Sequence, residues 1–130
     1  MTIPIRDMAP PDDQAFHATT FASSLTTADI GKAVMVSGGF TEATGITVVL
    51  VTEDEPVLGR LDVVESDGRD SIADEGYLEF LFTVGVTPSL RQGIVGGATP
   101  GTVKSAAHSA GGRGYNVSVD RTNLKVLVHF

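Results

Sequence analysis

Eight carboxylates lie between residues 53 and 74, and acids at this density could bind a cation: Glu53, Asp54, Glu55, Asp62, Glu65, Asp67, Asp70 and Asp74. A calcium loop of the EF-hand type needs oxygens at alternating positions, a central glycine and a bidentate glutamate at the twelfth position. The stretch ESDGRDSIADEG supplies Glu65, Asp67 and Gly68, but its later acids fall out of register. We therefore interpret the acids as the solvated rim of a β-hairpin whose turn is Asp67-Gly68, since Asp-Gly tolerates the positive φ of hairpin turns. An adventitious cation site is the alternative.

Paired carboxylates also hydrolyse glycosidic bonds when two acids face each other across the scissile bond. Sequence spacing does not establish that geometry, and the chain has no Trp and only two Tyr to stack on a sugar. We predict no catalytic pair in this cluster. Loss of a hydrolytic activity in Asp62→Asn or Asp67→Asn would be needed to support the opposite view.

The other groups with chemical potential are scattered. His17, His108 and His129 lie far apart, whereas metal sites usually gather histidines at close spacing. His108 and Ser109 are adjacent, so on an extended chain their side chains point apart, and no G-x-S-x-G elbow is present. The Gly-rich segments 93–101 and 110–114 lack the Gly-Lys-Ser/Thr ending of a phosphate loop. We interpret both as flexible or tightly bent loops and predict a non-enzyme with no metal and no cofactor.

Composition narrows the class of protein further. The chain has 130 residues, enough for one domain with one core, and no cysteine. Its net charge of −7 argues against nucleic acid as a partner. The charge is uneven, with −11 over residues 1–79 and +4 over residues 80–130, which favours a partner or self-association. No apolar run is long enough to span a membrane and the N-terminus lacks a secretory pattern, so we expect a soluble protein without a membrane partner.

The elements that position these residues are short runs rich in Val, Ile and Leu, separated by Gly, Asp or Pro. They predict strands at 33–37, 46–52, 56–65, 77–84, 102–106, 115–119 and 124–130. No stretch keeps a helical period for three turns, so the pattern indicates an all-β fold, a small β-sandwich or β-barrel of seven to nine strands. Gly59 predicts a bulge or bend. The Pro-rich residues 1–28 are interpreted as an extended N-terminal arm, and residues 29–130 as the β domain.

The order of these parts resembles a known family. TTADIGKAVMVSG, then ITVVLVT, then EDEPVLGRLDVVESDG resembles the small capsid decoration, or cement, proteins of tailed bacteriophages, over about residues 27–84. The resemblance implies a β-rich virion protein on the outer surface of the head, made in the host cytoplasm. There it would bind the major capsid protein where capsomers meet and stabilise the head against internal DNA pressure. It also implies self-association as a trimer or dimer and a terminal arm that reaches neighbouring subunits.

The arm carries apolar side chains without an obvious place in a small core, and burial against another chain would explain them. We therefore predict capsid-binding residues in the arm: Ile3, Ile5, Phe16, Phe21 and Leu25. A disordered arm is the alternative for this segment. For the whole chain, the alternative is a non-catalytic carbohydrate- or host-binding β module, which would need exposed aromatic side chains on one face.

Overall fold

The structure is a computed structural model that describes residues 17–41, 45–66, 69–107 and 111–130, with the backbone alone for residues 17–22, 38–41 and 45. These residues form ten strands and one 3-10 helix, Thr27–Asp29. The strands are β1 His17–Ala22, β2 Ala33–Thr41, β3 Gly45–Leu50, β4 Gly59–Val64, β5 Arg69–Ala73, β6 Tyr77–Leu81, β7 Ile94–Gly96, β8 Val103–Ser105, β9 Tyr115–Asp120 and β10 Lys125–His129. The predicted all-β class is confirmed.

Five strands close into a barrel in the order β1-β3-β2-β4-β5. The barrel is mostly antiparallel, with one parallel contact where Ala22 of β1 pairs with Thr47 of β3. Its interior holds four fully buried aliphatic side chains, Val34, Val48, Leu61 and Ile72. These four residues lie on β2, β3, β4 and β5, and because side chains alternate in direction along a strand, one side of each of these four strands fills the barrel.

The remaining strands form two smaller sheets against one side of the barrel. Strands β6, β10 and β9 make an antiparallel sheet in that order, and β7 pairs with β8 as a hairpin. A second core lies between these sheets and the barrel, built around Phe80, Leu78, Ile94, Val126 and Val128. The barrel contributes Ala33 and Ala73 to it, each next in sequence to a residue of the barrel interior. The two cores therefore share strands β2 and β5.

Buried and exposed side chains alternate along the last strand, as the alternation of apolar and polar residues from Leu124 to Phe130 indicates. Val126 and Val128 are buried and Phe130 packs against the same core, whereas Lys125 and His129 are exposed. All seven predicted segments contain a strand, although Pro56–Leu58 precedes β4. Gly59 opens β4, where the backbone lies so close to β5 that a Cβ would stand 2.3 Å from the Ala73 carbonyl oxygen. The irregular pairing of this hairpin falls further on, between Leu61 and Val63.

Three strands lie outside the seven predicted segments, β1, β5 and β7, although the predicted hairpin already required a strand after Gly68, where β5 lies. The predicted division of the chain at residue 28 therefore does not coincide with the start of the β structure, because β1 closes the barrel by pairing with β5 from His17 to Ala22. Residues 1–16 of the predicted arm lie outside the described residues.

The two Gly-rich segments pack against each other, and segment 93–101 also packs against the turn that follows β3 of the barrel. Segment 93–101 contains β7, and a Cβ on Gly96 would lie 1.9 Å from the carbonyl oxygen of Thr52. Gly96 exchanges backbone hydrogen bonds with the turn at Asp54 and Glu55, at 3.0 and 2.9 Å. In the second segment, Arg113 exchanges two backbone hydrogen bonds with Ile94. The glycines thus permit close backbone packing, and segment 93–101 forms a docked hairpin strand instead of a free loop.

Candidate docking surface

The hairpin interpretation of the acid-rich stretch is confirmed by the antiparallel pairing of β4 with β5, closed by the Glu65 amide donating to the Arg69 carbonyl at 2.9 Å. Asp67 and Gly68, the predicted turn, lie outside the described residues. The acids Glu53, Asp54, Glu55 and Glu65 are exposed, as a solvated rim requires. Among the residues described, no group of three or more His, Asp or Glu side chains could hold a metal ion.

Asp70 corrects the rim interpretation, because its side chain is fully buried. It lies on β5 two residues before Ile72, so it shares the face of the strand that fills the barrel. Its Oδ2 accepts a hydrogen bond from the Ser23 hydroxyl, while its Oδ1 has no hydrogen-bond partner. This hydrogen bond links the chain after β1 to strand β5. The contact contains a single carboxylate, whereas acid–base catalysis by paired acids needs two.

Two of the rim acids form an ion pair that links the barrel to the β7–β8 hairpin. Lys104 lies 3.1 Å from a carboxylate oxygen of Glu53 and 2.9 Å from one of Asp54. The hydrogen bonds that Lys104 donates to these two acids, above all the one to Asp54, raise the pKa of Lys104. The site is exposed to solvent, so the pair orients the turn more than it stabilises the fold.

The structure describes two of the five predicted arm residues, Leu25 in full and Phe21 by its backbone. Leu25 is partly buried and packs against the core of the barrel, so we leave it out of any partner contact. The backbone of Phe21 lies in β1, paired with Asp70. Ile3, Ile5 and Phe16 lie outside the described residues. Leu25 is thus the one residue of this set whose side chain the structure describes.

A surface that the sequence did not indicate lies on the basic half of the chain. The segment between β6 and β7 and the edge of β9 form a cleft, which we call the Leu90 cleft, lined by Thr87, Pro88, Ser89, Leu90, Arg91, Val117, Ser118, Val119 and Arg121. Leu90 is 52% exposed and Val117 is 42% exposed. The lining contains two arginines and no acid. Exposed aliphatic side chains beside positive charge, with no acid in the lining itself, are typical of a docking surface for an acidic partner.

Asn116 holds this cleft in shape. It is fully buried, and its side-chain amide donates to the Ser89 carbonyl at 2.8 Å. Its backbone amide donates to Gln92 and its carbonyl accepts from Arg91, both at 2.8 Å. The Asn-Val-Ser sequence at this position matches a glycosylation sequon, but the buried side chain is inaccessible. Sequence reasoning gave the residue no role, and the sequon pattern was the only signal there.

Arg113 connects the barrel with the sheets that pack beside it. Its guanidinium donates to the carbonyls of Val57 and Leu58 before β4, and to the carbonyl of Asp74 after β5 at 2.6 Å. It also lies 4.2 Å from the centre of the Phe130 ring. Burial lowers the pKa of Arg113, opposed by the charges of Asp74 and Glu75. A guanidinium stays charged in such a site, because its unperturbed pKa is far above neutrality.

A row of aromatic side chains crosses the outer face of the β6-β10-β9 sheet. Tyr77 pairs with His129, and His129 pairs with Tyr115, so all three point away from the core. Tyr77 and Tyr115 are each 50% exposed, and the rings of Tyr77 and His129 lie 4.6 Å apart. We call these three residues the aromatic row. Of the other two histidines, His17 lies in β1, and His108 lies outside the described residues.

Comparisons with known proteins give no match, whether to family profiles, to curated proteins or to solved structures. Within the described part of the chain, no helix has the length and apolar character needed to cross a membrane. The functional argument therefore depends on the surfaces themselves.

Proposed function

We propose that this protein is a structural virion protein that binds the exterior of an assembled phage capsid at capsomer junctions and stabilises the head against internal DNA pressure. The Leu90 cleft is the observation that carries the proposal. It presents Leu90 and Val117 beside Arg91 and Arg121 on a chain that is acidic overall. Such a surface suits an acidic shell, and the acidic barrel surface would then face solvent.

The positions of the resembling phrases support the same function. The phrase that contains β2 and the phrase that contains β4 are neighbours in the barrel, where Ala33 pairs with Arg60 and Val34 with Gly59. Their hydrogen bonds continue outside the strands, because the Gly31 amide donates to the Leu61 carbonyl at 2.8 Å. The resemblance therefore concerns two segments that build one scaffold together. It contains no catalytic group, as a purely structural task requires.

The predicted arm has a narrower role in this proposal. Residues 1–16 would carry Ile3, Ile5 and Phe16 to a neighbouring subunit, while β1 anchors them to the barrel. A truncation that tests the arm should therefore stop before His17. Deletion of residues 1–25 would remove β1, open the barrel and confuse binding with unfolding.

The direct test is co-sedimentation with purified expanded heads, followed by cryo-electron microscopy of the complexes. We expect density at capsomer junctions, with the Leu90 cleft against the shell. Arg91→Glu and Arg121→Glu should each weaken binding by about tenfold, because each brings like charge against the shell. Lys125→Glu is the matched control, since it makes the same charge change on an exposed strand position outside the cleft.

Equal binding by the cleft variants and the control would remove the cleft from the proposal, and no binding by the full chain would reject the proposal itself. The same assay with residues 1–16 deleted measures the contribution of the arm. Retention of full affinity by that variant would mean that the arm residues Ile3, Ile5 and Phe16 make no contact.

The alternative, a carbohydrate- or host-binding module, is favoured by one observation. Tyr77 and Tyr115 are exposed on one face, which is the feature that such a module needs. A glycan array with the full chain discriminates the two functions. Binding that is lost in Tyr115→Ala and kept in Arg91→Glu would favour the carbohydrate-binding module over the capsid protein.

A further inference from the structure

The aromatic row has a geometry that suits an extended proline-rich segment. Neighbouring strands lie about 4.8 Å apart, so Tyr77 and Tyr115, separated by β10, are roughly 10 Å apart across the sheet. A polyproline II helix rises about 3.1 Å per residue and repeats every third residue, roughly 9 Å. Two residues that are three apart on such a helix could therefore each contact one of the two tyrosine rings.

The chain contains one segment with the matching sequence. Met8-Ala9-Pro10-Pro11 includes the only Pro-Pro pair, and Met8 and Pro11 are three residues apart. Proline favours polyproline II in its own and the preceding residue, which reduces the entropy lost on binding. Domains that recognise proline-rich segments use exposed aromatic side chains for the purpose.

The topology leaves this segment within reach of the aromatic row. In the antiparallel pair of β1 with β5, His17 lies opposite Ala73, so the chain that precedes β1 arrives at the end of the pair from which β5 leaves. From Ala73, a short turn leads directly to Tyr77, the start of β6. Six residues from Pro11 to His17 can span roughly 20 Å, and four residues from Ala73 to Tyr77 span at most about 14 Å. Pro11 is thus within reach of the aromatic row.

From this geometry we infer that the aromatic row is a docking site for residues 8–11 of the same chain, with Met8 and Pro11 on the rings of Tyr115 and Tyr77 or the reverse. A tether this short gives an effective concentration on the order of millimolar, so even a weak contact is occupied. A free sugar has no such advantage on a surface without Trp. The docked segment would fix the point from which Ile3 and Ile5 extend. The contact itself does not depend on a capsid.

Tyr77 and Tyr115 are the only tyrosines in the chain, so their ring resonances report on the row without ambiguity. In the full-length protein we expect nuclear Overhauser effects between these rings and the side chains of Met8 and Pro11. Pro10→Ala combined with Pro11→Ala should abolish these effects and shift both ring resonances. Pro4→Ala is the matched control, a proline of the same segment outside the contact, and should change neither.

Three results would overturn the inference. Ring resonances that are identical in the double proline variant and the wild type would show that the segment does not contact the row. Effects seen only between differently labelled chains in a mixed sample would show that the occupant is a second copy. Ring shifts on adding cellohexaose to the wild type, without effects from residues 8–11, would show that the row takes a sugar. Faster backbone motion of residues 8–11 in Tyr115→Ala than in the wild type would support the inference, because this variant changes the docking site and leaves the segment intact.

Discussion

The barrel and the sheets packed beside it differ in what they leave exposed. The barrel encloses its own small core of four aliphatic side chains and carries most of the acids on its outside. The sheets share a larger core with the barrel, yet they carry both the Leu90 cleft and the aromatic row. The comparison shows that the acid-rich stretch, which has the highest density of ionisable side chains, is part of the barrel that supports the rest of the fold. The surfaces suited to partners lie on the half with few charges.

The largest effects should come from the two cores. We expect Phe80→Ala, in the shared core, and Leu61→Ala, in the barrel, each to lower the free energy of unfolding by about 4 kcal/mol, since both side chains are fully buried. Urea unfolding followed by circular dichroism measures both. Because the cores share β2 and β5, each variant should unfold in a single transition. Two separate transitions in Leu61→Ala would mean that the barrel is an independent unit.

The contact of the β7–β8 hairpin with the barrel should be the next most sensitive. Gly96→Ala places a Cβ 1.9 Å from the Thr52 carbonyl oxygen, and the backbone must move to accept it. We expect a loss of about 3 kcal/mol in the free energy of unfolding. Gly97→Ala is the control, because its closest contact is the Thr102 hydroxyl, which belongs to a side chain that can rotate. Equal losses in the two variants would contradict the close backbone packing.

Substitution of Arg113 tests a second contact between the barrel and the sheets beside it. Arg113→Lys keeps the charge but loses the planar fork that reaches three carbonyls, so we expect about 2 kcal/mol of destabilisation in urea. Arg121→Lys, at an exposed position, should have no measurable effect on stability. If Arg113→Lys left the free energy of unfolding unchanged, the barrel and the sheets beside it would be held together without any contribution from the guanidinium.

Within the barrel, Ser23→Ala should cost about 1.5 kcal/mol, because it leaves both oxygens of the buried Asp70 carboxylate without a partner. Asp70→Asn in the same background should recover much of this loss, since it removes the buried charge. Thermal unfolding of the single and double variants measures the coupling. Additive effects would argue that the Ser23 hydroxyl does not stabilise Asp70.

The smallest predicted effects are at two acids, the partly buried Asp29 beside the barrel and the exposed Asp120 at the end of β9. The Thr26 amide and Lys32 lower the pKa of Asp29, and the Asn123 side chain lowers the pKa of Asp120. A lowered pKa in the folded state gives stability that is present above the unfolded value, about 4, and lost as the pH falls through the folded value. Asp29→Asn and Asp120→Asn should therefore each flatten the acid limb of a stability–pH curve. An unchanged limb in both would contradict these hydrogen bonds.

The fold class could be predicted because its signals are local. The alternation from Leu124 to Phe130 needs no knowledge of neighbours, and the strand at 125–129 follows it. Strand β5 was implied only by the predicted hairpin turn, because Arg69 and Asp70 are charged, and nothing in the sequence indicates that Asp70 is buried. Strand β7 was missed because its glycines, which resemble a loop, serve backbone packing against a distant turn.

The candidate surfaces could not be predicted for a related reason. The Leu90 cleft joins residues 87–91 to residues 117–121, and the hydrogen bonds of Asn116 bring these segments together. The aromatic row depends on the register of three strands. Both are products of non-local pairing, which a linear pattern does not contain.

The closure of the barrel by its first strand has a consequence for folding during synthesis. The hairpins β2–β3 and β4–β5 can form as soon as they leave the ribosome, because their partners are close in sequence. Strand β1 is made first, yet its antiparallel partner ends at Ala73, so it must wait for the whole of β5 to emerge. Such long-range closure is slow, and until it happens β3 and β5 each present an open edge to other nascent chains. We expect refolding to show a slow phase that reports on this strand alone.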